Sequence, residues 1–206
     1  MPYISDEEGE YLVRVARKSI EYAFKDKSVE DVLADFPPKS DKLLRPSGAF
    51  VTLNTYPEKE LRGCIGYPEP SLPLISAVVR AARAAAFEDP RFPPLSGYEL
   101  DRVLVEVSVL TPPEKVTGVP REKLPSRIVI GVHGLIVRFG PYSGLLLPQV
   151  AVEYNMSSSE FLDHTCLKAG LRPGCWKDER TDVYTFSAEI FTEISPNGRV
   201  VREELV

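Results

Sequence analysis

Apolar residues recur every three or four positions near the start of the chain, which is the spacing of one helix face. The positions on this face are Leu12, Val15, Ala16, Ser19, Ile20 and Ala23, of which Ser19 is the one polar residue. Ser5 stands before them with Glu8 three residues later, an arrangement that caps the first turn of a helix. The pattern predicts a helix from about Asp6 to Phe24. Polar residues on the opposite side are expected to be solvated, and they are Arg14, Arg17, Lys18, Glu21 and Lys25.

Three further segments have helical patterns. The apolar positions from Leu72 to Ala86 predict a second long helix with Ser71 as its N-cap. A short helix is expected over 149–154, and Ser157 with Glu160 predicts another that ends before Gly170. Between the first helix and the first strand we expect a charged linker, which contains Pro37, Pro38 and Pro46.

Two segments of strand-like sequence predict a β-hairpin near the middle of the first half of the chain. They are residues 48–54 (GAFVTLN) and 60–66 (ELRGCIG), and a proline-containing turn separates them. A third strand is indicated by valines at alternate positions from Val103 to Val109, with Glu106 and Ser108 on its other face. Residues 182–191 are also rich in strand-forming types.

The pattern of apolar and turn-forming residues changes over residues 127–147. We expect a small antiparallel meander there, with strands over 127–132, 135–139 and 145–147. Near the end of the chain, Pro196-Asn197-Gly198 predicts a hairpin turn.

Helices and strands cluster along the chain instead of alternating strictly, which predicts the α+β class with two lobes. Each lobe is expected to be a mainly antiparallel sheet packed with helices. The main lobe is expected to comprise residues 1–114 and 179–206 and to carry the LRGCIG segment. A smaller α+β lobe, residues 115–178, is inserted into it.

Composition excludes several classes of protein. The 206 residues have a formal net charge of −5 and contain no long basic block, so nucleic-acid binding by charge is disfavoured. The longest stretch without Asp, Glu, Lys or Arg, residues 139–152, is interrupted by glycine and proline and is too short to span a bilayer. The acidic N-terminus lacks the features of a secretion signal, so we expect a cytoplasmic protein.

The chain has three cysteines, and no two of them form a C-x-x-C pair. This argues against both a disulfide framework and a cysteine-rich zinc site. We expect Cys166 to be buried in its helix. Cys175 lies in a Pro-Gly-Cys-Trp loop, where it could resolve an oxidised Cys64, although nothing in the sequence brings the two together.

Cys64 is the most reactive candidate because strand alternation puts Arg62 on the same face. A neighbouring guanidinium favours the thiolate and lowers the pKa of a cysteine, which nucleophilic or redox use requires. Gly63 and Gly66 allow a backbone or a ligand to approach closely. The alternative interpretation is that Cys64 is a small buried residue where sheet and helix pack tightly.

Glu106 and His133 are the candidate proton carriers. If its strand pairs beside the LRGCIG strand, the Glu106 carboxylate could bind Arg62 or act as a general base. Alternatively, Glu106 could lie on the solvated side of the sheet or form a purely structural salt bridge. His133 lies in a predicted turn, and it could also reach Cys64 across a cleft between the lobes. His164 is expected on the surface. The two histidines lack metal-ligand spacing and no nucleotide-binding motif is present, so the sequence predicts no metal and no cofactor.

Four segments together resemble the AMMECR-type family, named after the human AMME-syndrome chromosomal region. They are LRGCIG at 61–66, PRFPPL at 90–95, EVSVLTP at 106–112, and the stretch 128–153. The resemblance spans nearly the whole chain. It implies a two-lobed α+β fold and a functional LRGCIG segment, without an established enzymatic activity. Family members occur beside or fused to Memo-type and radical-SAM proteins, which implies a shared modification or redox pathway.

Two functions remain open at this point. The first is a binding or adaptor module in which Leu61, Gly63, Ile65 and Gly66 shape a groove for a protein partner or a small anionic ligand. The second is a cysteine-dependent enzyme with Cys64 as nucleophile or redox centre, assisted by Arg62 and by Glu106 or His133. A role in RNA modification is a third alternative.

Overall fold

A computed structural model describes residues 2–203 of the chain. Its helices are α1 (Asp6–Ala23), α2 (Val29–Asp35), α3 (Leu74–Phe87), α4 (Pro148–Glu153) and α5 (Ser158–Lys168). Its strands are β1 (Ala49–Thr55), β2 (Leu61–Tyr67), β3 (Val103–Leu110), β4 (Glu114–Lys115), β5 (Gly134–Phe139), β6 (Tyr142–Leu146), β7 (Asp182–Phe186), β8 (Ala188–Glu193) and β9 (Val200–Glu203). The protein is α+β with mainly antiparallel sheets packed against helices, as the sequence predicted.

The chain divides into two compact units. The first comprises residues 2–110 and 189–203, and the second comprises residues 111–188. The boundaries predicted from the sequence, 114 and 179, differ because β4 and β7 pair with each other and both belong to the second unit. Residues 1 and 204–206, which the sequence analysis placed in the main lobe, lie outside the described residues.

The first unit is built on a five-stranded sheet in the order β2-β1-β3-β8-β9. Helices α1 and α3 pack against one face of it, and alternate residues of β1 and β3 face them: Val51, Leu53, Val105 and Val107, all fully buried. The inner face of α3 is lined by alanines, whose small side chains let the helix axis approach the sheet closely. The predicted helix caps of Ser5 on α1 and Ser157 on α5 are both present.

Arg17 of α1 was predicted to be solvated, and this is wrong. It is buried, donates to the Glu193 carboxylate at 2.7 Å through Nε, and donates to the carbonyl oxygens of Leu100 and Val103. Glu193 in turn accepts the backbone N–H of Val105 at 3.0 Å. A buried charge requires such a full set of partners, and no helical periodicity reveals them.

The second unit has a four-stranded sheet in the order β4-β7-β5-β6. Its core is formed by Leu135, Val137, Phe161, Leu162, Trp176 and Val183. Cys166 is fully buried, as expected, but it forms a disulfide with Cys175. The sequence argument against disulfides was therefore wrong, because cysteine spacing does not show that the α5 helix and the following loop fold back on each other.

Three element assignments also differ from the sequence analysis. The predicted linker contains α2, which is capped by Ser28 and Asp31. Helix α3 starts at Leu74, with Pro73 as its N-cap in place of Ser71. Residues 127–132 form no strand, because a 3₁₀ turn (Arg121–Arg127) ends at the first of them and Gly131 takes a positive φ of 82°. None of the helices among the described residues is long and apolar enough to cross a bilayer.

Candidate functional site

The LRGCIG segment forms β2, the edge strand of the five-stranded sheet. It pairs antiparallel with β1, so that Cys64 lies opposite Thr52 and Gly63 opposite Leu53. Side chains alternate along the strand, so Arg62 and Cys64 lie on the face away from α1 and α3. Gly63 and Ile65 lie on the helix-facing side.

The two glycines of the motif permit close packing within the unit. A Cβ atom on Gly63 would collide with the carbonyl oxygen of Ala85 in α3, and one on Gly66 would collide with the ring of Phe50. Ile65 is half-buried against the core, whereas 41% of Leu61 is exposed. Of the four predicted groove residues, Leu61 is therefore the one whose side chain is exposed.

The Cys64 thiol is half-buried and accepts a hydrogen bond from the Thr52 hydroxyl at 3.3 Å. Burial raises the pKa of Cys64 above its ordinary value, and this outweighs the Thr52 hydrogen bond and the charge of Arg91. The reactive interpretation of Cys64 required a lowered pKa, with Arg62 beside the sulfur, whereas the alternative interpretation was a small buried residue. Instead, the cation that acts on this thiol is Arg91.

Arg62 is held by Glu99, which lies on the 3₁₀ turn Gly97–Arg102. Its Nε and Nη2 donate to the two carboxylate oxygens at 2.8 and 3.2 Å, and its guanidinium lies 5.9 Å from the centre of the Phe92 ring. This hydrogen bond lowers the pKa of Glu99 to about 2. The remaining nitrogen, Nη1, is buried without a hydrogen-bond partner in the described part of the chain.

Asp89 and Arg91 cover the outer edge of β2 at Cys64. Asp89 accepts the backbone N–H of Cys64 at 2.9 Å, and Arg91 donates to the carbonyl oxygen of Cys64 at 3.2 Å. Arg91 also donates to both oxygens of Asp89, at 2.9 and 2.7 Å. This pairing holds the pKa of the Asp89 carboxyl far below its usual range. The sequence analysis singled out neither residue, although both lie in or beside the PRFPPL segment.

Glu106 lies on the same sheet face as Cys64, with Thr52 between them. Thr52 is opposite Cys64 on one side and opposite Glu106 on the other. Burial, reinforced by the charge of Glu203, raises the pKa of Glu106 to about 7. Arg62 binds Glu99 and not Glu106, so the predicted role of Glu106 in holding Arg62 is wrong.

The histidines belong to the second unit. His133 follows a turn and accepts the Val129 backbone N–H at Nδ1, 3.1 Å away, and it lines a cavity of about 430 Å³ with residues of β4. Partial burial lowers the pKa of His133. His164 is exposed on α5, as predicted. Cys175 is bonded to Cys166, so its predicted role in resolving an oxidised Cys64 does not fit this structure.

Comparison with protein families gives one match that covers most of the chain. The AMMECR1 family model matches residues 13–191. The chain belongs to the AMMECR1 family. This confirms the resemblance that LRGCIG and the three other segments predicted.

Relatives of this AMMECR1-family chain are similar over their full length. A protein of Thermococcus gammatolerans is 54% identical over 206 residues, covering 98% of both chains. Protein PH0010 of Pyrococcus horikoshii is 52% identical with the same coverage. The crystal structure of PH0010, described as uncharacterized, superposes with a TM-score of 0.81 and covers 99% of this chain and 100% of its own.

Within this AMMECR1 fold, the motif residues are joined to a second segment. Residues 89–99 supply partners to both polar residues of the LRGCIG strand: Asp89 and Arg91 to Cys64, and Glu99 to Arg62. The candidate site therefore consists of two segments that are separate in sequence.

Proposed function

We propose that this AMMECR1-family protein is a binding module whose docking surface lies at the closed end of the β1–β2 hairpin. The observation that carries the proposal is a pocket of about 540 Å³ at that end. It is lined by the hairpin turn, residues 55–58, and by the 3₁₀ turn that contains Glu99. A pocket of this size accommodates one large side chain together with some of its flanking backbone.

Aromatic side chains stand exposed around this pocket. Tyr98 is 78% exposed and Tyr56 40% exposed, and both line it. Leu61, the first residue of the motif, follows the same hairpin turn and is 41% exposed. Tyrosine is enriched among the residues that contribute most to protein interfaces, because its ring buries a large area and its hydroxyl keeps a polar contact.

The LRGCIG strand supports this surface in the proposal. Arg62 holds Glu99, and Glu99 lines the pocket next to Tyr98. The bidentate contact fixes the 3₁₀ turn on the sheet, so the backbone that carries Tyr98 is held in place before a partner binds. In this proposal the LRGCIG motif contributes by supporting the shape of the docking surface, and Cys64 serves as a small neutral residue within it.

The charge of the pocket favours a basic segment of a partner protein as the occupant. Three carboxylates line it, from Glu58, Glu99 and Asp101, against the single cation of Arg102. Glu99 is neutralised by Arg62, whereas the side chains of Glu58 and Asp101 form no hydrogen bond or salt bridge among the described residues. A lysine or arginine side chain between two tyrosines gains cation–π attraction as well as charge complementarity.

Titration with defined peptides tests this function. The probes are a short peptide rich in arginine and lysine and a peptide of equal length with glutamate at those positions. Binding of each peptide to the protein is monitored by NMR. We expect saturable shifts at Tyr56 and Tyr98 with the basic peptide only. Memo-type and radical-SAM proteins, which the family resemblance implies as pathway neighbours, are the first whole partners to assay.

Variants make the test specific. Tyr98→Ala is expected to weaken binding about tenfold or more, which corresponds to roughly 1.4 kcal/mol. Tyr154→Ala removes another well-exposed tyrosine, in the second unit, and serves as the control. Cys64→Ser is expected to bind as the natural chain does. Equal binding of the acidic peptide, or full binding by Tyr98→Ala, contradicts the proposal.

The cysteine-dependent enzyme remains a second candidate because of one observation. Cys64, Thr52 and Glu106 lie in register across three strands, and the pKa of Glu106 is near neutrality, as a general base requires. The rate of alkylation of Cys64 by iodoacetamide against pH separates the two functions. A binding module predicts a slow reaction that accelerates only at alkaline pH, whereas rapid modification near neutral pH supports the enzyme.

A further inference from the structure

The second unit contains a pocket of its own, which the binding surface on the first unit does not involve. Its volume is about 680 Å³, within the range of small-molecule sites in proteins. The lining comes from the end of β5 and from the segment 171–181 that follows α5. A residue that precedes α5 and residues that follow it therefore line the pocket, and the LRGCIG strand contributes none of them.

The charge of this pocket is opposite to that of the chain. Arg172, Lys177 and Arg180 line it against the single carboxylate of Asp178, whereas the whole protein carries a net charge of −5. Asp178 is engaged by Arg180 through two hydrogen bonds, at 3.0 and 2.7 Å. Its charge also attracts Arg172, but one carboxylate cannot neutralise three cations.

Two of these cations remain available to a ligand. The side chains of Arg172 and Lys177 form no hydrogen bond or salt bridge within residues 2–203, and both residues are exposed. Lys177 stacks over the ring of Trp176, 5.2 Å from its centre. An exposed arginine and lysine at one pocket are suited to the oxygens of a phosphate or carboxylate group, which the arginine can bind in a bidentate manner.

An apolar wall stands beside the cations. Phe139 and Leu171 are half-buried and line the pocket, and the Arg180 guanidinium lies 5.2 Å from the centre of the Phe139 ring. A ligand with both a negatively charged group and an apolar part would contact the two kinds of surface at once. An inorganic ion alone would use only the first.

The loop that carries the cations is held in place before any ligand binds. The disulfide joins Cys175 to Cys166 of α5, and Asp163 of the same helix accepts hydrogen bonds from the Gly174 backbone N–H and from Trp176 Nε1, both at 2.7 Å. Gly174 takes a positive φ of 78°, which a residue with a side chain rarely adopts. A pre-organised loop loses little conformational entropy on binding.

We propose that this pocket binds a small organic anion, with a phosphate or carboxylate group held by Arg172 and Lys177 and an apolar part against Phe139. The site is independent of the docking surface on the first unit. Either proposal can therefore fail without the other.

Trp176 provides the readout, because it is the single tryptophan of the chain and its neighbours on both sides line the pocket. Phenyl phosphate and benzoate are titrated separately at constant ionic strength, with choline as a cationic probe, and tryptophan fluorescence is followed. We expect a saturable change with phenyl phosphate or benzoate and none with choline. Whichever of the two anions binds more tightly distinguishes phosphate from carboxylate recognition.

Charge variants decide whether the signal comes from this pocket. The double variant Arg172→Gln with Lys177→Gln is expected to weaken binding at least tenfold while keeping the thermal midpoint. Lys168→Gln removes an exposed lysine of α5 that does not line the pocket, and it should bind as the natural chain does. Absence of saturation with both anions, or equal binding by the double variant, overturns the proposal.

Discussion

The backbone N–H of Cys64 donates a hydrogen bond to the buried Asp89 carboxylate at 2.9 Å. Arg91, bound to that carboxylate, donates to the carbonyl oxygen of the same cysteine. Together these two side chains satisfy the two backbone groups of Cys64 that an additional strand would otherwise bind at the edge of the sheet. Exposed edge strands invite pairing with other chains, and these two contacts oppose such pairing at Cys64.

Asp89→Asn is expected to destabilise the first unit by about 3 kcal/mol. The change removes the charge from a carboxylate that is 2% exposed and leaves Arg91 and the Cys64 N–H with a weaker acceptor. Urea unfolding at neutral pH measures it. Asp178→Asn is the matched control, since Asp178 binds Arg180 in the same i, i+2 manner at the surface. A similar loss in both variants would show that the Cys64 contact contributes little.

Glu106→Gln is expected to stabilise the protein at pH values above about 7 and to have little effect below about 4.5. The pKa of Glu106 rises from 4.5 to about 7 on folding, so the folded state binds the proton more tightly than the unfolded state. The contribution of Glu106 to the free energy of unfolding is fully present below pH 4.5 and is lost as the pH rises through about 7. Thermal midpoints of both proteins across this range measure the effect, and a constant difference would contradict it.

Gly63→Ala is expected to destabilise the protein by about 1–3 kcal/mol, the usual range for overpacking. The new Cβ would meet the carbonyl oxygen of Ala85, a backbone atom within α3 that cannot move without disturbing the helix. Gly97→Ala is the control, because nothing lies within 4 Å of its Cβ position. Chemical denaturation compares the two. Equal stabilities would mean that α3 does not pack on β2 as closely as described.

Removing the disulfide by Cys166→Ala with Cys175→Ser is expected to destabilise the second unit by about 2–3 kcal/mol, because the unfolded chain regains the entropy of a short closed loop. The sequence separation of the two cysteines is 9. Thermal unfolding without reductant measures the loss. Thiol titration of the denatured natural chain should detect Cys64 alone before reduction and all three cysteines after it. Detection of all three beforehand would contradict the pairing.

Local sequence patterns predicted several elements of this fold directly. The helical spacing from Leu12 to Ala23, the capping pair of Ser5 and Glu8, and the alternation from Val103 to Val109 each depend on residues that are neighbours along the chain. The alternation in LRGCIG also placed Arg62 and Cys64 on one face. These inferences hold because helix and strand periodicity follow from backbone geometry alone.

The chemistry of the candidate site did not follow from such patterns. Arg62 was expected to lower the pKa of Cys64, but its charge is bound by Glu99, thirty-seven residues away along the chain. The sequence analysis did not identify Asp89 and Arg91, because the contacts of a loop residue are known only once the position of the loop against the strand edge is known. The pKa of Cys64 is raised because folding buries it, and burial depends on the whole unit.

The sequence by itself determined the family, the α+β class and the strand that carries the motif, since motif identity and periodicity are properties of consecutive residues. Tertiary structure alone decided which charges are paired, which glycines face a helix backbone, and that Cys166 and Cys175 meet. The physical reason is that hydrogen bonds, ion pairs and desolvation act over a few ångströms in space, whatever the separation along the chain.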